Sequence, residues 1–205
     1  MSAQSKPLHL TVASSNPGKL REYRTLAASA GASIELALLP NFGALPKFEE
    51  AANTFAENAM GKALHYSRFS EGPVMADDSG LVVPALGGAP GVHSARYAGP
   101  GASDADRIRK LLDAMRGKKG EERRARFVCV VALAERGEPR GVFSASAEGE
   151  LLDTPRGESG FGYDPIFFFP DLGKTFAEIT REEKNQHSHR GKAFRKALDF
   201  LDYAS

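Results

Sequence analysis

A chain of 205 residues suits one large domain or two closely joined lobes, and 41% hydrophobic residues suffice for a sizeable core. Lys+Arg 27 against Asp+Glu 26 leaves a formal net charge of +1, so no global field recruits nucleic acid or an anionic membrane, and any anion site has to be local. The single cysteine, Cys129, excludes an intramolecular disulfide and the usual thiolate zinc sets; with no apolar h-region in MSAQSKPLHLTVASSN and no apolar run near the ~20 residues of a spanning helix, a soluble, unprocessed, cytoplasmic protein is expected.

In chain order, Leu8, Leu10 and Val12 alternate with His9, Thr11 and Ala13, which predicts a short strand ending at the turn residues Asn16, Pro17 and Gly18. Leu20, Tyr23, Ala27 and Ala30 then recur near helical spacing, with Gly31 where a C-cap belongs. SIELALLP predicts a second strand ended by Pro40, and Thr54 with Glu57 forms a capping box that opens a helix through about Phe69. Next, the pair Asp77-Asp78 stands between PVMA and GLVVPAL, two short strands or one bent one. GGAPGVHSARYAGPG is a shaped Gly/Pro loop, and Ser103 caps a helix through roughly Arg116, stopped by Gly117. RFVCVVALAE is a continuous apolar run expected to be a central strand buried on both faces, joined by RGEPRG to VFSASAEGEL. The tail carries GFGYDPIFFFP, a capping box from Thr180 to Glu183, and a helix with Phe194, Ala197, Leu198 and Leu201 on one face. With no repeat, linker or clean boundary, the reading is a single α/β domain over residues 1–205 with a mixed sheet.

Four stretches carry residue types suited to chemistry. Ser14, Ser15, Asn16, Pro17, Gly18 and Lys19 lie between a strand and a helix, where N–H groups, the helix dipole and an ammonium form an anion cradle; a plain turn with a solvated lysine is the other reading. Glu49 and Glu50, then Asp77 and Asp78, supply oxygen ligands of the kind Mg²⁺ takes one or two at a time; an Asx turn beside Gly80 is the alternative for DDSG. Phe161 between Gly160 and Gly162, followed by Tyr163 and Asp164, can lay an aromatic ring on a nucleobase, or can simply build core. Lys184, His187, His189, Arg190 and Lys192 gather cations around the start of a helix, which calls for something anionic; zinc binding by the two histidines lacks an evident third ligand.

Taken together, ASSNPGKLREY, TFAENAMGKA, ADDSGLVVPALGGAPGVHSARYAG, GFGYDPIFF and KTFAEITREEKNQHSHRGKA resemble, in order and almost end to end, the Ham1/RdgB family of noncanonical purine nucleoside triphosphate pyrophosphatases. The resemblance implies an elongated two-lobed α/β fold with a long mixed β-sheet flanked by helices, a central nucleotide cleft and a homodimer. It also implies Mg²⁺-dependent hydrolysis of ITP, dITP or XTP to the monophosphate and pyrophosphate. Carried over by position, Ser14 through Lys19 hold the triphosphate. Asp78 is proton acceptor and metal ligand with Asp77 beside it, and Glu49, next to Glu50, is the upstream metal ligand. Ser79, Phe161, Gly162, Tyr163, Asp164, Lys184, His189 and Arg190 contact the substrate. Two positions depart from the family pattern: Ser15 stands where many members have Gly, and Ala51-Ala52 where members often have one.

Base choice follows from the 6-oxo group of inosine and xanthine, at which Lys184, Arg190 and main-chain N–H groups near Phe161 are candidate donors. The alternatives to this reading are a Maf-type pyrophosphatase acting on other nucleotides and a nucleotide-binding module without hydrolysis. A metal-dependent nucleic-acid enzyme is disfavoured by the balanced charge.

Overall fold

The structure is a computed structural model that describes residues 8–29 and 34–203. The expected cap at Gly31 lies outside the described residues. A seven-stranded mixed sheet has the order β2-β1-β3-β4-β5-β6-β7. Its strands are β1 (Leu8–Val12), β2 (Ile34–Leu38), β3 (Val74–Val82), β4 (Arg124–Glu135), β5 (Glu138–Leu151), β6 (Phe167–Phe169) and β7 (Lys174–Thr175). Helices α1 (Pro17–Ser29), α2 (Phe55–Ser67), α3 (Asp104–Ala114), α4 (Arg181–His187) and α5 (His189–Tyr203) complete the fold.

Parallel pairing of β1 with both β2 and β3 makes the first third of the chain a doubly wound half-sheet. Strand order reverses at β1, so the turn leaving its carboxyl end occupies a topological switch point, the place where open α/β sheets take ligands. The register explains why an acidic pair belongs there. Val12 is level with Met75, and the Ala13 N–H donates to the Met75 carbonyl, 2.8 Å. β3 then continues to Val82 after β1 has turned away, so Asp77 and Asp78 sit on the overhang. Of the readings of this stretch, the two short strands and the Asx turn give way to one uninterrupted nine-residue strand.

Local rules account for most other boundaries. Asn16 Oδ1 accepts from the Gly18 and Lys19 N–H groups and so caps α1, with Pro17 at the first helical position where no N–H is needed. Ser103 and Asp106, and Thr180 and Glu183, form full capping boxes for α3 and α4. At α2 only half of the expected box forms. Thr54 accepts from the Glu57 N–H, but the Glu57 carboxylate takes the Thr54 hydroxyl rather than its N–H. The Arg136-Gly137 turn has φ of 52° and 85° at its two residues, the left-handed pair that reverses β4 into β5. β4 alternates in burial over its first residues and is buried on both faces from Cys129 to Ala134, as its apolar run predicts.

The chain divides into two compact units, one made of the chain up to Asp78, Val130–Ser144 and the chain from Gly191, the other of Ser79–Cys129 and Ala145–Arg190. In the first, α5 buries Phe194, Ala197 and Leu198, with the Phe194 ring 5.1 Å from that of Tyr23 on α1. In the second, Leu81, Leu111, Phe127, Tyr163, Ile166, Phe167 and Phe176 anchor one apolar cluster. Gly80 is required where β3 enters that unit, because a Cβ there would overlap the Gly91 carbonyl oxygen and the Ser94 hydroxyl. Gly80→Ala is therefore expected to cost about 1–3 kcal/mol, as overpacking does. Thermal unfolding would read this as a Tm roughly 2–10 °C lower; an unchanged Tm would show that the 91–94 turn yields without cost.

Candidate active site

Within the first unit, five charged groups converge on the overhang of β3. Asp77 Oδ2 lies 2.8 Å from the Lys19 ammonium, with Asp77 fully buried and Lys19 nearly so. Asp78, also buried, accepts from the Asn58 carboxamide of α2 at 3.0 Å. Successive strand residues face opposite ways, which is how neighbouring aspartates come to have different partners. One turn along α2 from Asn58, Lys62 pairs with Glu50. Asn58 and Lys62 fall on one face of the helix by their i, i+4 spacing.

Three carboxylates share this space with two ammonium groups, and the ionisation equilibria reflect that. Burial, above all, pushes the Asp78 carboxyl above its ordinary value. Lys19 pulls it down, Glu50 adds to the rise, and the Asn58 bond and Lys62 oppose it. Burial works against the charge on Lys62 too, but Asp77, Glu50 and Asp78 together outweigh it and raise its pKa. The donor set is hard oxygen only, it carries more negative than positive charge, and two of its acids are buried. It fits a Mg²⁺ ion that takes few protein ligands and completes its shell with water and phosphate oxygens. Among the described residues no group of three or more His, Cys, Asp or Glu side chains is placed to hold a metal by itself.

Of the two upstream glutamates, the structure brings Glu50 to the cluster and not Glu49. Glu49 is exposed, and its main-chain carbonyl accepts from the Ala51 N–H. The cradle at Ser14–Lys19 differs from expectation as well. The Gly18 and Lys19 N–H groups are occupied by Asn16, and the Asn16 N–H donates to Ser14 Oγ at 3.2 Å. An anion at this turn therefore meets the Ser14 and Ser15 hydroxyls and the Lys19 ammonium rather than a bare helix start. Ser15 is exposed, so a side chain at this position leaves the turn accessible.

Within the second unit a separate constellation forms around Phe161. Gly160 has φ 79°, and a Cβ on it would overlap Asp164 Oδ2; this glycine lets the loop fold back on itself. Asp164 is buried and accepts both from the Phe161 N–H, 2.8 Å, and from the buried Lys184 ammonium, 2.5 Å. The Lys184 ammonium lies 4.9 Å from the Phe161 ring centre and the Arg190 guanidinium 5.6 Å, so two cations flank a half-buried aromatic ring. Arg190 also donates to the Ser79 hydroxyl at 2.8 Å. The Gly162 N–H donates to Asp104 Oδ2, 2.8 Å. Thus the Phe161 and Gly162 N–H groups, expected to be available to a base oxygen, are both held by carboxylates.

Tyr163 and His189 are placed differently from the other members of this group. The Tyr163 side chain is core: its phenol, which burial pushes well above its ordinary pKa, donates to the Ser94 carbonyl at 3.0 Å. His189 is buried and stacks on Phe127, ring centres 4.7 Å apart and planes 9° from parallel. Asn58, Lys62 and Asp104 were not anticipated. The signal for the α2 pair was available, since Asn58 and Lys62 interrupt a stripe of Ala59, Ala63 and Tyr66 that is otherwise buried and apolar. Asp104 had none, being 58 residues from the amide that it holds.

Fold and sites define a class: an α/β protein with a polar turn at a sheet switch point, a desolvated acid beside paired lysines, and a loop that offers an aromatic ring flanked by cations. The Ham1 family model matches residues 10–200. A dITP/XTP pyrophosphatase of Geobacillus kaustophilus is 51% identical over 187 residues, covering 91% of this chain and 91% of that one. One of Thermus thermophilus is 49% identical over 192 residues, with 94% and 91% covered. The structure of a HAM1 protein from Coxiella burnetii superposes with a TM-score of 0.85 at 42% identity, covering 96% of this chain and 99% of that chain. The chain belongs to the Ham1 family.

The raised Asp78 pKa has a consequence for stability in chelator-treated, metal-free protein. A carboxyl that titrates higher when folded binds its proton more tightly in the native state, so its contribution to stability falls as pH rises from the unfolded value toward the folded one. Above that window the full cost of burying the charge remains. Asp78→Asn removes it, so the variant is expected to melt above the native protein at neutral pH, with the difference shrinking toward the ordinary value of 3.8. Thermal unfolding across pH checks this; a variant less stable at neutral pH would mean that the Asp78 charge is a net stabiliser.

Proposed function

We propose that this chain hydrolyses noncanonical purine nucleoside triphosphates, ITP, dITP and XTP among them, to the monophosphate and pyrophosphate, and so cleanses the nucleotide pool. The observation that carries the proposal is the split of the β3 acids, Asp77 neutralised by Lys19 and Asp78 desolvated with its pKa raised. A carboxylate whose pKa is raised is the stronger base of its kind and the better suited of the two to take a proton from water. The names of the Geobacillus and Thermus relatives support the substrate class.

Ser14, Ser15 and Lys19 would bind the triphosphate, and Lys62 would add a second ammonium near the same acids. Asp78 and Glu50, in preference to Glu49, would hold a Mg²⁺ ion, which would supply positive charge to the phosphate oxygens. The Asp78 carboxylate orients a water and accepts its proton. The water oxygen bonds to the α-phosphorus, the bond from that phosphorus to the α–β bridging oxygen breaks, and pyrophosphate leaves with the bridging oxygen. Charge grows on the leaving group as this bond lengthens, and Lys19 and Lys62 are the side chains placed to offset it.

For the base, Phe161 provides the stacking face, and the Lys184 and Arg190 donors favour a 6-oxo purine over adenine. An ammonium with three N–H donors can hold Asp164 and a base oxygen together. A homodimer in the cytoplasm is the proposed working form. Among the described residues no helix is long and apolar enough to cross a membrane.

Pyrophosphate release from ITP, dITP, XTP, GTP and ATP, with and without Mg²⁺, tests the assignment. The expected result is turnover of the first three, preferred over GTP and ATP by at least about tenfold in kcat/KM, and loss of turnover in chelator. Preference for pyrimidine or other nucleotides would point to a Maf-type substrate range, and binding without pyrophosphate release to a sensor.

A further inference from the structure

The Gly160–Asp164 loop has to present one ring in one orientation, yet its own backbone is permissive: Gly160 and Gly162 both have positive φ, 79° and 66°. Packing holds only part of it. On the side facing α3 the loop borders a cavity of about 670 Å³, lined by Asp104, Ile108, Leu112, Pro155, Phe161 and Pro165 among others. Asp104 and Gly162 both line that cavity, and the Gly162 N–H donates to Asp104 Oδ2 at 2.8 Å.

Asp104 is itself well braced. It is the first residue of α3, directly after the N-cap Ser103 and inside the Ser103–Asp106 capping box. Arg107 pairs with its other oxygen and donates to the Ala95 and Ala102 carbonyls. Ser94, the neighbour of Ala95, accepts from the Leu81 N–H of β3 at 2.9 Å, and its carbonyl receives the Tyr163 phenol. The loop is thus tied at two successive residues, Gly162 and Tyr163, to one hydrogen-bonded frame that ends on β3.

We propose that Asp104 is a positioning residue for base recognition: without touching the nucleotide, it fixes Gly162 and so the pose of the Phe161 ring against Lys184 and Arg190. The proposal rests on the function assigned above. Asp104 belongs to the second compact unit and the β3 acids to the first, so it governs binding and selectivity rather than the chemical step. Its side chain is 43% exposed, so its replacement leaves no buried hole.

The test compares three variants by steady-state kinetics and amide hydrogen exchange. Asp104→Ala is expected to raise KM for ITP about tenfold and to lower the ITP-to-ATP ratio of kcat/KM by a similar factor, with kcat within about twofold. Exchange at the Gly162 amide is expected to accelerate. Asp104→Asn keeps an acceptor for that amide and is expected to restore most of the KM. Ser103→Ala removes the α3 cap but not the bond to Gly162, so it is expected to lower Tm while leaving KM and Gly162 exchange unchanged. Unchanged Gly162 exchange in Asp104→Ala overturns the proposal, and so does faster exchange with native KM and selectivity. If the native protein turned over no 6-oxo nucleotide the assigned function would fall, whereas the exchange data would still decide whether Asp104 holds the loop.

Discussion

The buried contact between Lys19 and Asp77 is the constraint on which the rest of the site depends. A carboxylate at the centre of a sheet is expensive to desolvate, and two in succession more so, unless cations are brought in with them. Lys19 meets that requirement from the first turn of α1, which the parallel β1–β3 register sets beside the overhang of β3. With Asp77 neutralised, Asp78 is the acid whose ionisation remains costly. A group in that state gains most from a cation or a proton.

Glu50, Asp77 and Asp78 raise the affinity of Lys62 for its proton, and Glu50 makes ionisation of Asp78 harder. On the proposed function, a divalent ion would add positive charge among these carboxylates and phosphates would engage the lysines, which would relieve the crowding. Phosphoryl chemistry needs little more from a protein than such positioning and charge. The loop at Phe161 is of a different kind: it offers an aromatic face with cations at hand and holds its own two amides with carboxylates.

Much of this was legible in the sequence, and the misses have physical reasons. The strand–turn–helix opening, the Ser103 and Thr180 caps, the buried run of β4 and the apolar face of α5 all follow from local pattern and appear where expected. β3 was obscured because aspartates are poor strand formers, and partners distant in sequence, Lys19 and Asn58 among them, make them acceptable there. β6 and β7, three and two residues long, have no period to read and exist through their pairing with each other and of β6 with β5. At the site, residue types in ordered motifs pointed to the acids, the lysines and Phe161. They could not separate Glu49 from Glu50, because adjacent residues differ only in which way the loop turns them. Nor could they separate the Tyr163 ring, sunk in the core, from the half-buried Phe161 two positions earlier.

The division of labour between the two β3 acids is tested most directly by measuring, on the same preparations, turnover and nucleotide affinity of Asp78→Asn and Asp77→Asn. Removing a general base is expected to lower kcat for ITP by about 10²–10⁴ in Asp78→Asn, with the dissociation constant for the nucleotide changed by no more than about threefold. Asp77→Asn, which leaves Asp78 in place, is expected to retain a clearly larger share of turnover. Near-normal turnover by Asp78→Asn, or a loss of affinity that matches its loss of rate, would contradict the account.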